Sequence, residues 1–174
     1  MKNQNKLNHK ILINYNEATI ISSQKQKEGQ SIVFTNGCFD ILHKGHIEYL
    51  AKAADLGDIL IVAVNTDQSV KAQNKGEERP INSENDRLEL LAALFFVDYV
   101  LLFNEETPQQ LIEQIEPNVL VKGGDYDPNE TDRNAKTYIV GRDTVLANQG
   151  RVKIINLVQG YSTTGIVSKL RGNT

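Results

Sequence analysis

The sequence predicts a single α/β domain built on a doubly wound parallel sheet, and three observations carry that prediction. Short apolar runs bounded by turn residues recur along the chain, amphipathic stretches of helical period separate them, and polar loops follow the runs. At 174 residues the chain fits one domain with a proper core. A domain of that size buries roughly 70% of the surface that its unfolded chain exposes.

Residues 1–14, MKNQNKLNHKILIN, mix charged and amide side chains without a long apolar run. They are expected as a partly ordered arm before a domain spanning 15–174, not as a signal peptide, with His9 a bystander. The strands are SIVFTN (31–36), DILIVAVN (58–65), VDYVLLF (97–103), NVLVKG (118–123) and RVKIINL (151–157). The first four are nearly continuous in Val, Ile and Leu, the pattern of parallel strands covered by helices on both faces. Between them, HIEYLAKAADLG sets Ile47, Leu50, Ala51 and Ala54 on one helical face and ends at Gly57. SENDRLELLAALF does the same with Leu88, Leu91, Ala92 and Phe95, capped by Ser83. TPQQLIEQIEP opens on Thr107 before Pro108 and stops at Pro117, and a last helix follows the fifth strand. The polar stretches 71–82 and 126–138 come after strands, and in a Rossmann-like sheet ligands bind outside the C-terminal strand ends.

Composition narrows the function. Hydrophobic residues make up 40% and charged residues 24%, which excludes disorder and coiled coil as leading expectations. A net charge of -3 supplies no basic footprint for nucleic acid, so any bound anion is held locally. No apolar stretch approaches the roughly 18 residues of a membrane span. The single cysteine, Cys38, cannot form an internal disulfide, which fits a reducing cytoplasm, and it reads as a small buried side chain.

The segment TNGCFDILHKGH, Thr35 to His46, concentrates the chemistry. The first strand ends near Asn36, Gly37 permits a tight turn, and a helix begins close to His43. Free N–H groups and the positive end of the helix dipole there suit a phosphate. His43 and His46, three apart, share a helix face, and Gly45 between them leaves room for close approach. The pair forms a two-pronged anion clamp. A zinc site would need four ligands, and only His9 and Cys38 remain as soft partners. Two histidines that merely cap a helix or fill a core are the plain alternative.

TNGCFDILHKGH resembles the G-x-F-D-x-x-H-x-G-H segment of the HxGH nucleotidyltransferase superfamily, and GYSTTGIVSKL (160–170) resembles its second signature. VAVNTDQSVK, KGEERPIN, DRLELLAAL, VDYVLLFNEETP and PNVLVKGGDY are similar to the heptose-phosphate adenylyltransferase branch, over about residues 15–172. Many relatives carry a fused sugar kinase; this chain resembles the stand-alone form. The resemblance implies transfer of AMP from ATP to D-glycero-β-D-manno-heptose 1-phosphate, giving ADP-heptose for lipopolysaccharide and pyrophosphate. Homodimers are known among such relatives, and the apolar FFVDYV stretch could serve a core or an interface.

Site residues follow from matching positions. His43, His46 and Lys71 are the catalytic candidates, donating to phosphates as charge builds. Thr35, Asn36, Gly37, Phe39, Gly45, Lys122, Gly124, Asp125, Ser162, Thr163 and Thr164 are candidates for holding the nucleotide. The hydroxyl trio could instead be a plain cap, and the Lys122-Gly123-Gly124-Asp125-Tyr126 loop a simple turn. Asp40, Asp67, Arg79 and Arg87 are substrate candidates, with turn, capping or solvated-surface roles as their alternatives. No protein metal site is expected; VQGYSTT lacks the arginine that polyol-phosphate cytidylyltransferases carry, so Mg²⁺ held by phosphate oxygens becomes more necessary. Residues 127–138 exceed the usual length between GGDY and IVG, as a lid or, more simply, a surface extension. A polyol-phosphate cytidylyltransferase and a non-catalytic nucleotide-binding module are the competing functions.

Overall fold

A computed structural model describes residues 2–73, 78–124 and 126–172. Its elements run α1 (Lys2–Asn8), α2 (Tyr15–Lys27), β1 (Ile32–Gly37), α3 (Lys44–Ala54), β2 (Ile59–Asn65), α4 (Asp67–Ala72) and α5 (Glu84–Ala92). Then follow β3 (Tyr99–Phe103), α6 (Gln109–Ile115), β4 (Val119–Gly123), α7 (Arg142–Ala147), β5 (Arg151–Ile155) and α8 (Thr163–Leu170). The strands form one parallel sheet in the order β3-β2-β1-β4-β5, the doubly wound arrangement expected.

Adjacent strand residues point to opposite faces, so each strand feeds two apolar layers. Val33, Val62 and Val119 pack under Leu50 of α3 and Leu91 of α5. Their neighbours Phe34, Ile61 and Leu120 pack under Ala18 of α2, Ile112 of α6 and Val145 of α7. All seven residues of β2 are buried, which is why its first six, Ile59 to Val64, are an unbroken apolar run. β5 alternates exposed and half-buried residues because it is an edge.

Three features depart from the expectations. Residues 1–14 hold α1 and a segment docked on the free edge of β3: Leu12 N–H donates to Val100 O, and Val100 N–H to Lys10 O, each at 2.8 Å. The Lys10 ammonium caps the carbonyls of Leu94 and Val97 at 3.0 and 2.7 Å, and Leu12 is buried. This covers an edge that would otherwise expose unpaired backbone groups. Helices α2 and α7 carry weak sequence signals, since α2 buries only Ala18 and Ser22 and α7 is six residues long. Thr107 does not cap α6; Pro108 occupies that position, with no side-chain cap.

Candidate active site

Residues at and just beyond the C-terminal ends of β1 to β5 surround a cavity of about 730 Å³, lined among others by Asn36, Asn65, Phe103, Lys122 and Leu157. A smaller cavity of about 350 Å³ adjoins it and shares Cys38, Phe39, His46 and Leu157 with it. Its walls include His43, Gly45, Arg79, Ser162, Thr163 and Thr164. The two signature segments, over 110 residues apart in sequence, therefore meet at one opening.

His43 is the N-cap of α3, in extended backbone conformation, and its Nδ1 accepts from His46 N–H at 3.3 Å. An accepting Nδ1 leaves the proton of a neutral ring on Nε2, the nitrogen free to donate to a ligand. The His43 and His46 rings stack with centroids 3.8 Å apart and planes 15° apart, and Phe39 meets His46 edge-on at 5.2 Å. Burial pushes the His46 imidazole down to about 4, and the neighbouring His43 adds to this. A backbone contact with Ile41 acts the other way, although His46 Nδ1 is buried without a well-directed hydrogen bond. Burial lowers His43 as well. Both rings are neutral at pH 7, so they act as N–H donors and not as fixed cations.

Gly45 is set by contact. A Cβ there would lie 3.0 Å from His43 Cε1 and Nδ1 and 3.2 Å from Tyr161 Cβ. Ser162 is the N-cap of α8 and accepts from Gly165 N–H at 3.0 Å, so capping and lining the cavity are both met by this residue. Lys122 is buried at the end of β4; its Nζ bonds to Asn36 Oδ1 and lies 6.0 Å from the centre of the Tyr126 ring. Desolvation pushes its pKa down to about 8. A buried ammonium on a cavity wall, answered here only by a neutral amide oxygen, has the charge to receive an anion.

Several other candidates have different surroundings. Thr35 is fully buried, and its hydroxyl bonds to Tyr49 OH at 2.6 Å, so it does not line either cavity and braces α3 instead of a nucleotide. Arg87 is a correction to both of its readings: it is fully buried, neither a substrate contact nor a solvated charge. Its guanidinium donates to Asp67 Oδ1 and Cys38 O at 2.7 Å and to Asn82 O at 3.2 Å. Asp67 is thereby held at the start of α4 and lines neither cavity. Asp40, also buried, accepts from Ile81 and Asn82 N–H at 2.8 and 2.9 Å and pairs with Arg79 at 2.5 Å. Its oxygens organise the 79–82 turn, leaving Arg79 as the member of the pair suited to an incoming phosphate. Lys71 is exposed on α4 and lines neither cavity, so this geometry does not bring it to the site. Gly124 has φ +90, a Cβ there would lie 3.3 Å from Leu157 Cδ1, and it is not on the cavity wall, whereas Gly37 and Phe39 line it. Asp125 lies outside the described residues.

Sequence reading missed Tyr49, whose hydroxyl also donates to Val121 O at 3.2 Å and so ties α3 to β1 and β4. Its position three residues after His46, on the same helical face, was the available signal. It also missed Asn65, Glu106 and Tyr138 on the larger cavity. Among the described residues, no group of three or more His, Cys, Asp or Glu could hold a metal ion, and no helix is long and apolar enough to cross a membrane.

Residues 34–169 match the cytidylyltransferase-like family. The chain belongs to that family. It is 53% identical over 150 residues to the bifunctional protein HldE of Actinobacillus pleuropneumoniae serotype 5b, covering 86% of this chain and 30% of that protein. Against HldE of Nitratiruptor sp. the identity is 51% over 157 residues, covering 90% and 31%. The chain thus spans under a third of these relatives' length. The crystal structure of the lipopolysaccharide core biosynthesis protein from Thermoplasma volcanium aligns with a TM-score of 0.57 at 30% identity, over 77% of this chain and all of that one. A pantoate-beta-alanine ligase from Francisella tularensis shares the fold, with a TM-score of 0.55 at 15% identity, over 92% of this chain and 76% of that one.

Proposed function

We propose that the chain transfers AMP from ATP to D-glycero-β-D-manno-heptose 1-phosphate, forming ADP-heptose for lipopolysaccharide core synthesis. A phosphate oxygen of the sugar attacks the α-phosphorus, the bond from that phosphorus to the bridging oxygen breaks, and pyrophosphate leaves with the bridging oxygen. The observation that supports this most is the shared cavity of His43, His46 and Ser162 to Thr164. No side chain needs to become covalently attached; the protein positions two phosphates and stabilises the charge that develops between them.

In this reading the Nε2–H groups of His43 and His46 donate to the α-phosphate and the bridging oxygen. The Ser162, Thr163 and Thr164 hydroxyls, with Arg79, hold the β- and γ-phosphates. Lys122 receives the sugar phosphate, and Gly37, Phe39 and Gly123 leave space for ribose and base. Magnesium enters with ATP on its phosphate oxygens, where it offsets triphosphate charge. The cytoplasm, where ATP is made, is the proposed setting. A homodimer belongs to the proposal through Phe95, 89% exposed beside Phe96, and light scattering checks it.

The test is pyrophosphate release by the purified protein with ATP or CTP, offered heptose 1-phosphate or glycerol 3-phosphate. Turnover with ATP and heptose phosphate is expected. Turnover confined to CTP and glycerol phosphate, or binding without pyrophosphate release, would overturn the assignment.

A further inference from the structure

The two cavities divide the site by chemistry. The smaller carries two imidazoles, a guanidinium and the hydroxyls of Ser162, Thr163 and Thr164, donors that a triphosphate needs, beside Tyr161 and the Asp40 carboxylate that pairs with Arg79. The larger spans the sheet, and its flanks come from different strands. Gly123 and Leu157 follow from β4 and β5, whereas Asn65, Phe103 and Glu106 follow from β2 and β3, on the other side of β1.

Residues 126–140 join these flanks. The segment leaves the sheet after β4, yet Lys136 and Tyr138 line the larger cavity together with Thr107 and Pro108, which lie just beyond β3. A separate small cavity bounded by Thr107, Gln109, Tyr138 and Thr144 marks where the segment crosses the start of α6. The segment is braced. Asp127 N–H donates to Thr137 O at 2.9 Å, Arg142 Nε to Pro128 O at 2.7 Å and Tyr138 OH to Asp143 Oδ2 at 3.2 Å. Ile139 is fully buried in the core. A closed, anchored loop of this kind is a wall, not a free surface extension.

We propose that this wall determines acceptor specificity, with Lys136 and Glu106 reading the hydroxyl-bearing tail that extends beyond the ring of the sugar phosphate. An ammonium only donates and a carboxylate only accepts, so the two together answer both sides of a hydroxyl. Both groups are exposed, so water replaces a missing tail and the discrimination is the modest difference between those partners. The inference rests on the adenylyl-transfer reading for what enters the cavity.

The test compares wild type with Lys136→Met, using ATP and either heptose 1-phosphate or mannose 1-phosphate, with pyrophosphate release and calorimetric ATP titration as readouts. The variant is expected to lose about tenfold in kcat/KM for the heptose, mainly through KM, and to narrow the heptose-to-mannose preference by a similar factor. ATP affinity should stay within about twofold, because the triphosphate is assigned to the smaller cavity and the ribose and base to Gly37, Phe39 and Gly123, with no ATP contact assigned to Lys136. An unchanged preference overturns the inference while leaving the adenylyl-transfer reading intact. No turnover by wild type with either acceptor defeats that reading instead. The ATP titration decides in both cases: a tenfold weakening in Lys136→Met assigns the wall to the nucleotide and overturns the inference.

Discussion

The imidazoles of His43 and His46 lie face to face at 3.8 Å, and the backbone N–H of His46 is the donor that sets the tautomer of His43. Stacked rings at that distance disfavour two positive charges, so the clamp works as paired neutral donors. We therefore expect His43→Ala and His46→Ala each to lower kcat by about 10²–10³, the cost of one lost transition-state donor. ATP affinity should change by less than about tenfold, because ground-state binding uses many other contacts. Stopped-flow pyrophosphate release and ATP titration separate the two effects, and a loss confined to affinity would refute the role in turnover.

The titration of His46 has a stability consequence. Its folded-state value is about 4 against an ordinary 6.5, so the unfolded chain binds the proton more readily between those limits. Stability contributed by the neutral buried ring is complete above about pH 6.5 and is lost as pH falls toward 4. At about 1.4 kcal/mol per pKa unit the full shift corresponds to about 3.5 kcal/mol, an upper bound that solvent screening of the partly buried ring reduces. Urea midpoints of wild type and His46→Gln between pH 4 and 7 should converge at the acid end if this holds.

Lys122 gives the opposite dependence in binding. With its pKa depressed to about 8 by desolvation, its positive charge is complete near pH 6 and fades as pH rises through 8. An anion beside it favours the charged form, so binding near pH 8 takes up a proton. Calorimetry of heptose 1-phosphate binding in buffers of different ionisation enthalpy should register that uptake in wild type and not in Lys122→Met. Equal uptake in both would remove Lys122 from the anion site.

Gly45 tests how tightly the clamp is built. Its replacement by Ala brings a Cβ to 3.0 Å from the His43 ring, close enough to displace it by a few tenths of an ångström. We expect about tenfold lower kcat, in line with the sensitivity of positioned groups to small misplacement. The urea midpoint should correspond to less than about 1 kcal/mol, and a larger loss of stability with unchanged kcat would contradict this.

Arg87 should behave as a core residue. Arg87→Met leaves Asp67 and the carbonyls of Cys38 and Asn82 without their donor, a loss of about 3 kcal/mol for a broken, largely buried pair. Urea denaturation measures it. The KM for ATP should be unchanged in the folded fraction, whereas a residue that binds phosphate would raise KM.

The sequence by itself determined the fold class and the two signature segments. Strand and helix periods are local properties, readable where apolar residues alternate or recur within a few positions, as in the unbroken run of β2. His43, His46 and Ser162 to Thr164 were legible for the same reason, since each segment carries its spacing within a short stretch. Tertiary structure alone decided which polar groups face the cavity. Arg87 and Thr35 looked like ligands, but their partners lie elsewhere in the chain, at Asp67 and on Tyr49, and Asp40, although on the wall of the smaller cavity, is bonded to Ile81 and Asn82. A buried polar group must be paired, and folding chooses that partner by proximity in space, which no local pattern records.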